Sequence, residues 1–392
     1  MRTAAFLYPW DVIGDPAAAD RILDLGIRQV TLAAAYHSTR ALTPRHPRHR
    51  VVTAEHSAVL YAPDAARWSG RALRPYPAGE WAPGEAYAEA ATTLEAAGIE
   101  VHSWVVLAHN SLLGEANPGI AVRNAYGDRY PWAPCVAQPG VREYLVALAV
   151  EASVRPGARG TELESCGWYG FAHPHAHDKT AGVGFGDAAQ YLMSLCFCTH
   201  CGAGYARLGL DAEELAAAVR RCLEPVWAAS GSGAAGWPAV VELLGEEAAG
   251  ATLRWRKRVA RTLQEEVVRG VRDAAPDGFQ VLLHADPAAY RCGANPGADP
   301  AFLLETADGV VLPCAGGGAG EVVPPFARQA RPGSVLAANF QVVAGMGGSP
   351  QTLAEDAAAA AGLGATELRL YHAGLASDRD LALVREALGR LR

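Results

Sequence analysis

Residues 160–179, GTELESCGWYGFAHPHAHDK, hold more groups able to move protons or bind a metal than any other twenty residues of the chain. Glu162 and Glu164 are two apart, so on a strand both carboxylates leave one face. A glutamate ending a buried strand is costly unless it is paired or used. Glycoside hydrolysis uses two carboxyl groups flanking the bond, one as acid and one as base or nucleophile. Glu164 is the first candidate for that work, and Glu162, one layer deeper, is a supporting acceptor. His173, His175 and His177 alternate along a segment that Pro174 keeps extended. Three uses fit them: His175 assisting Glu164 while its neighbours contact substrate hydroxyls, His173 and His177 holding a metal, or loop structure alone. Lys179 closes the segment as a further substrate contact.

A second cluster is C-x-C-x-x-C: Cys196, Cys198 and Cys201. Thiolates at this spacing can hold one face of a tetrahedral zinc, with the fourth ligand from Cys135, Cys166, Cys222 or His200. The other reading is buried free thiols at a helix start. A zinc closed by four ligands would be structural.

Elements that could position these groups recur in a fixed cadence. Short apolar runs at 3–8, 27–35, 99–107, 160–165, 279–285, 309–313, 334–341 and 366–372 read as strands buried on both faces. Helical segments follow at 15–25, 84–97, 139–153, 249–275, 299–307, 322–330, 351–361 and 378–391, several of them stopped by glycine. Eight such units predict an α/β chain folded as a single (β/α)8 TIM barrel over 1–392, with long insertions at 36–83 after strand two and at 166–248, mainly helical, after strand four. No G-x-G-x-x-G turn follows strand one, which argues against a dinucleotide-binding sheet.

In a barrel the C-terminal strand ends and the loops after them carry the site. Those ends offer Tyr8, Trp10 and Asp11; Tyr36 and His37; His109 and Asn110; Glu162 and Glu164; His284 and Asp286; Cys314 and Glu321; Asn339 and Gln341; Tyr371 and His372. Aromatic faces with paired polar groups suit a small carbohydrate, and all but Asp11, Glu164, Asp286, Cys314 and Glu321 are expected substrate contacts. Asp286 is the preferred second carboxylate, with Glu321 and Asp11 as alternatives.

The bulk composition excludes several classes. Half of the 392 residues are hydrophobic, 19% are charged and the net charge is −7, so a large core is affordable and no basic field for nucleic acid exists. No run of eighteen apolar residues suggests a membrane span. Eight cysteines are too few for a disulfide scaffold, and a cytoplasmic location is expected. The leading reading requires no cofactor, and the only metal the sequence suggests beside it is a structural zinc at the cysteines. A homo-oligomer is compatible with all of this.

LCFCTHCGAGYARLG, residues 195–209, resembles the cysteine segment of family 42 beta-galactosidases and related barrel hydrolases, where such cysteines contribute to a zinc site. NAYGDRYPWAPCVAQPGVREYLVAL is similar to the segment before strand four in glycoside-hydrolase-like barrels, and TELES matches their strand four. The resemblance covers about residues 99–205 and implies a (β/α)8 hydrolase with Glu164 at the strand-four acid/base position. Two departures stand out. The family pattern has asparagine before that glutamate, where this chain has Leu163, and a glutamate on strand seven, where this chain reads LAANFQ. The resulting expectation is a glycosidase. The alternatives are a metal-dependent sugar isomerase or hydrolase and a non-catalytic carbohydrate-binding barrel.

Overall fold

The apolar runs form parallel strands because a strand covered by helices on one side and by its own barrel interior on the other exposes neither face to water. In the computed structural model, which describes residues 1–171, 178–180, 182–228, 233 and 235–391, these are β1 (Arg2–Leu7), β2 (Gln29–Tyr36), β3 (Glu100–Val106), β4 (Ala158–Glu164), β5 (Gln280–His284), β6 (Gly309–Pro313), β7 (Val335–Gln341) and β8 (Glu367–Tyr371). Each pairs in parallel with the next, and β8 returns to β1, so the sheet closes into a barrel. Around it lie α1 (Ala18–Asp24), α2 (Ala86–Ala96), α3 (Pro139–Ser153), α4 (Glu246–Ala274), α5 (Pro300–Thr306), α6 (Ala319–Ala327), α7 (Leu353–Gly362) and α8 (Asp378–Arg390). The fold is a (β/α)8 barrel. Gly26 and Gly98 end α1 and α2 at φ of 78° and 76°, a backbone state that other residues enter only at a cost. Buried Trp255, Val259, Leu263, Val267 and Val271 recur every four residues along α4 and seat it against the barrel and α3.

The segment after β2 is more ordered than its composition suggests. It holds an antiparallel hairpin, Thr39–Leu42 with Val51–Ala54, a two-residue strand Ala58–Val59 that pairs with β2, and a short helix Ala65–Trp68. A second hairpin, Ala121–Arg123 with Arg129–Pro134, follows β3 in a stretch that shows no sequence period. After β4 come helices Asp187–Met193, Thr199–Ala206, Ala212–Ala228 and Gly236–Leu244. Among the described residues, no helix is long and apolar enough to cross a membrane.

The register fixes which side chains enter the barrel. Trp104 pairs with Glu162, Val106 with Glu164, Asn339 with Arg369 and Gln341 with Tyr371, so these residues alternate with the outward ones. The middle layer is polar. Arg369 donates from Nε to Glu162 Oε1 at 2.7 Å and from Nη1 to Glu367 Oε2 at 2.8 Å, and Thr31 Oγ1 donates to Glu162 Oε1 at 3.1 Å. Glu162 and Arg369 are fully buried. Removing one member of such a pair strands the other charge in a low dielectric. Arg369→Met is therefore expected to lower stability by about 3–5 kcal/mol in urea unfolding. A loss under about 1 kcal/mol, the size of a surface pair, would show that Glu162 does not depend on that cation.

Candidate active site

Glu164 is the last residue of β4, at the C-terminal end of the barrel. Its Oε2 accepts hydrogen bonds from Trp104 Nε1 at 2.8 Å and Tyr371 Oη at 3.0 Å. Trp104 comes from β3 and Tyr371 from β8, so strands on both sides of β1 and β2 converge on one carboxyl group. Glu164 is 3% exposed, and burial raises its pKa to about 7 against the two hydrogen bonds that favour the anion. Among the described residues no second carboxylate interacts with it; its surroundings are aromatic. Tyr36 meets Trp104 edge-on at 4.6 Å, Tyr8 lies 5.4 Å from Trp104, and Tyr371 lies 5.4 Å from Trp104 on the other side. The Glu164 charge helps push the phenols of Tyr36, Tyr169 and Tyr371 up, so all three stay neutral donors.

Two backbone states mark the same ends. Ser165, directly after Glu164, and His372, directly after Tyr371, both have φ of 59° without being glycine. Such residues cost about 1–3 kcal/mol and persist where the surroundings over-determine them. Here Ser165 N–H donates to Ala294 O at 2.9 Å and Ser165 O accepts from Ala108 N–H at 3.2 Å, which ties the turn after β4 to both neighbouring loops.

The other expected residues separate into three groups. The first stands in the aromatic wall. Tyr8 stacks on Trp10 at 4.5 Å, and its hydroxyl meets His372 Nδ1 at 3.0 Å. Burial lowers the His372 pKa to about 3, so its imidazole is neutral. His37 stacks on Tyr36 at 4.1 Å and meets His109 at 5.0 Å, and His109 in turn stacks on Tyr169 at 4.1 Å. These rings run continuously from β1 to the loop after β4.

The second group stands apart from that wall, most of it hydrogen-bonded or ion-paired within the protein. Glu162 is held by Arg369 as described. His284, at the C-terminal end of β5, has Nε2 4.0 Å from Glu162 Oε2, and burial lowers its pKa to about 3. Asn110 Oδ1 accepts from Leu113 N–H at 2.9 Å as the N-cap of helix Ser111–Ala116. Gln341 Oε1 accepts from Val343 N–H at 3.1 Å. Asp11, one alternative second carboxylate, caps the turn after β1 by accepting from Tyr8 N–H at 2.9 Å. Asp286 accepts from Ala288 N–H at 2.7 Å and lies 4.0 Å from Arg291 Nε. Burial raises its pKa, with Glu321 and Asp187 adding to the rise. Asn339 is buried on β7 with Oδ1 unpartnered, and Lys179 is exposed.

The third group, His173, His175 and His177, lies outside the described residues. Three residues that the sequence reading passed over prove central. Trp104 is Glu164's nearest donor, Arg369 neutralises Glu162, and Tyr169 extends the aromatic wall. The period-two alternation of HSWVV and ELRLY already put Trp104 and Arg369 on the inward face.

The cysteine cluster acquires its fourth member from the hairpin after β3. Sulfurs of Cys135, Cys196, Cys198 and Cys201 all lie within 4.8 Å of one another. Cys135 Sγ is 3.6 Å from both Cys198 Sγ and Cys201 Sγ. Four thiolates at Zn–S distances near 2.3 Å in a tetrahedron stand about 3.8 Å apart, so the number, type and spacing of these donors fit zinc. Cys166, Cys222 and His200 are not part of it.

No family model and no curated protein matches the sequence. Solved structures do. The chain aligns over 99% of its length with the glycoside hydrolase domain of PgaB (BpsB) from Bordetella bronchiseptica, covering 98% of that domain at 15% identity and a TM-score of 0.57. The likeness is one of fold: each match contains a (β/α)8 barrel like this one. The same barrel aligns over its full length with alpha-L-fucosidase isoenzyme 2 from Paenibacillus thiaminolyticus (TM-score 0.57, 13% identity) and spans 49% of that chain. It aligns over 99% with a beta-galactosidase from Bacillus circulans sp. alkalophilus (TM-score 0.53, 11% identity), spanning 55% of it.

Proposed function

We propose that this glycoside-hydrolase-like barrel is a glycosidase in which Glu164 is the general acid/base. What carries the reading is one observation: a carboxyl group buried at the mouth of the barrel, raised to about pKa 7, and walled by tryptophan and tyrosine. An acid that keeps its proton near neutrality can deliver it to a leaving glycosidic oxygen. The aromatic faces of Tyr36, Trp10 and Tyr371 would take the C–H surfaces of a sugar, and His37, His109 and His372 its hydroxyls. Asp286 is retained as the partner carboxylate, and His175 as an assisting group. The four cysteines would hold a structural zinc that pins the hairpin after β3 to the helices after β4; a closed site of four thiolates supplies folding energy and no open position for chemistry. A cytoplasmic location, where thiols stay reduced, suits that site.

The test is turnover across a panel of aryl and natural glycosides, followed by a pH profile on whichever is cleaved. With Glu164 as acid, kcat/KM falls above about pH 7 as its proton is lost. A saccharide that binds in calorimetry yet is cleaved by no preparation would favour the binding-protein reading. Activity rising steadily through pH 8 would remove Glu164 as the acid.

A further inference from the structure

Arg256, on α4, is 2% exposed, and among the described residues no carboxylate contacts it. Its guanidinium lies 4.8 Å from the ring centre of Tyr191 and 5.6 Å from that of Trp168. Nη2 donates to Cys292 Sγ, while Nε and Nη1 have no hydrogen-bond partner. Tyr191 supplies no counter-charge near neutrality, because burial pushes its phenol up to about 12. A buried cation without an anion is expensive, and it stabilises negative charge on whatever touches it. Among the described residues, the sulfur of Cys292 is the one side-chain atom that this guanidinium hydrogen-bonds.

Cys292 is also reachable. It sits half-buried in the loop after β5 and lines a cavity of about 240 Å³ with Asp187, Gln190, Tyr191, Tyr290 and Arg291. Access from one side and a cation behind are the two conditions that separate reactive cysteines from inert ones. Cys222 is an internal contrast. It is half-buried too, but its Sγ donates to Leu243 O at 2.7 Å, and burial raises its pKa.

We propose that Cys292 is a covalent modification site, a nucleophilic thiol that a small hydroperoxide entering this cavity oxidises. Sγ attacks the distal peroxide oxygen, and an S–O bond forms as the O–O bond breaks. The departing oxygen takes up the proton that the thiol gives up, leaving a sulfenic acid and an alcohol or water. Sulfur is oxidised by two electrons and the peroxide is reduced. The modified sulfur reports to the segment that leaves Glu164. A Cβ placed on Gly170 would stand 3.2 Å from Cys292 Sγ, so added bulk on that side displaces the chain there.

The test uses the purified chain as isolated. After brief exposure to iodoacetamide at pH 7, cysteine peptides are quantified by mass spectrometry. Cys292 is expected to label at least about tenfold faster than Cys222, and Arg256→Met to bring it within about twofold of Cys222. After hydrogen peroxide, dimedone tags Cys292, and the tag is lost in Cys292→Ser. Equal labelling of the two cysteines in the wild-type chain overturns the proposal, and that comparison stands even if Arg256→Met does not fold. An unchanged rate in folded Arg256→Met also overturns it. Fast alkylation without a dimedone adduct overturns the hydroperoxide as the reactant. None of these readouts requires a sugar to be turned over, so they stand or fall apart from the glycosidase reading.

Discussion

Glu164→Gln lowers kcat/KM on a cleaved glycoside by about 10²–10⁴-fold, the span that a positioned acid/base contributes. The substitution is close to isosteric. The amide oxygen can keep both hydrogen bonds that Oε2 now accepts, from Trp104 and Tyr371, so the pocket's shape is retained. What is lost is the titratable proton. The same change carries a stability signature with a definite sign. Glu164 has a folded pKa of about 7, above its usual value of 4.5, so between those pH values the folded chain holds more protons than the unfolded one. Stability from this group is therefore fully present below about pH 4.5 and lost as pH rises through about 7. Glutamine does not titrate, so Glu164→Gln should gain on the wild type between pH 5 and pH 8, by up to about 3 kcal/mol. Asp11, also raised to about 7 by burial, keeps its own decline in both proteins and cancels in the comparison. A variant with lower turnover and no pH-dependent gain in stability would indicate that Glu164 is already ionised in the folded chain. Asp286→Asn, measured alongside, tests the second carboxylate. Wild-type turnover in both variants removes the carboxylate mechanism.

The barrel was legible because its strands are buried on both faces and therefore read as unbroken apolar runs separated by glycine-stopped helices. Period two then placed Glu162 and Glu164 on one face, and that placement holds. What alternation cannot supply is the partner across the barrel. Glu162 and Arg369 are 207 residues apart, and only the closing of β8 onto β1 brings them to 2.7 Å. That contact makes Glu162 part of the barrel's interior charge pair, which the sequence position alone does not reveal. Asn110 shows a local signal that outweighed its position at a strand end. An asparagine directly before a helical stretch is an N-cap, and its side chain is spent on Leu113 N–H. The hairpin after β3 left no trace because two short antiparallel strands, packed beside the insertion, need no long apolar period. It is that hairpin which brings Cys135 to the other three cysteines, so the fourth thiol of the cluster, which sequence spacing could only place among four candidates, follows from the fold.

That placement gives the second large effect. Purified chain is expected to carry one zinc by elemental analysis, and Cys135→Ala and Cys201→Ala each to lose it, whereas Cys166→Ala and Cys222→Ala keep it. Zinc held by four thiolates contributes on the order of 10 kcal/mol to the folding of small metal domains. Here the barrel has a core of its own, so the loss falls on the parts that the cluster joins: the hairpin Ala121–Pro134 and helices Asp187–Met193 and Thr199–Ala206. Chelation should therefore open these segments to hydrogen exchange and proteolysis before the barrel strands unfold. Trp132 and Tyr130 stack at 5.0 Å on the same hairpin, Trp132 Nε1 donates to Gly170 O at 2.9 Å, and His109 Nδ1 meets Trp132 O at 3.1 Å. Loosening the hairpin thus releases one side of the wall that runs to Glu164, and substrate affinity should fall with zinc content even though no ligand of the metal touches the carboxyl group. Zinc retained after both Cys135→Ala and Cys201→Ala, and lost when His173 and His177 are replaced, would move the metal from the cysteine cluster to the barrel mouth and favour a metal-dependent mechanism over the carboxylate one.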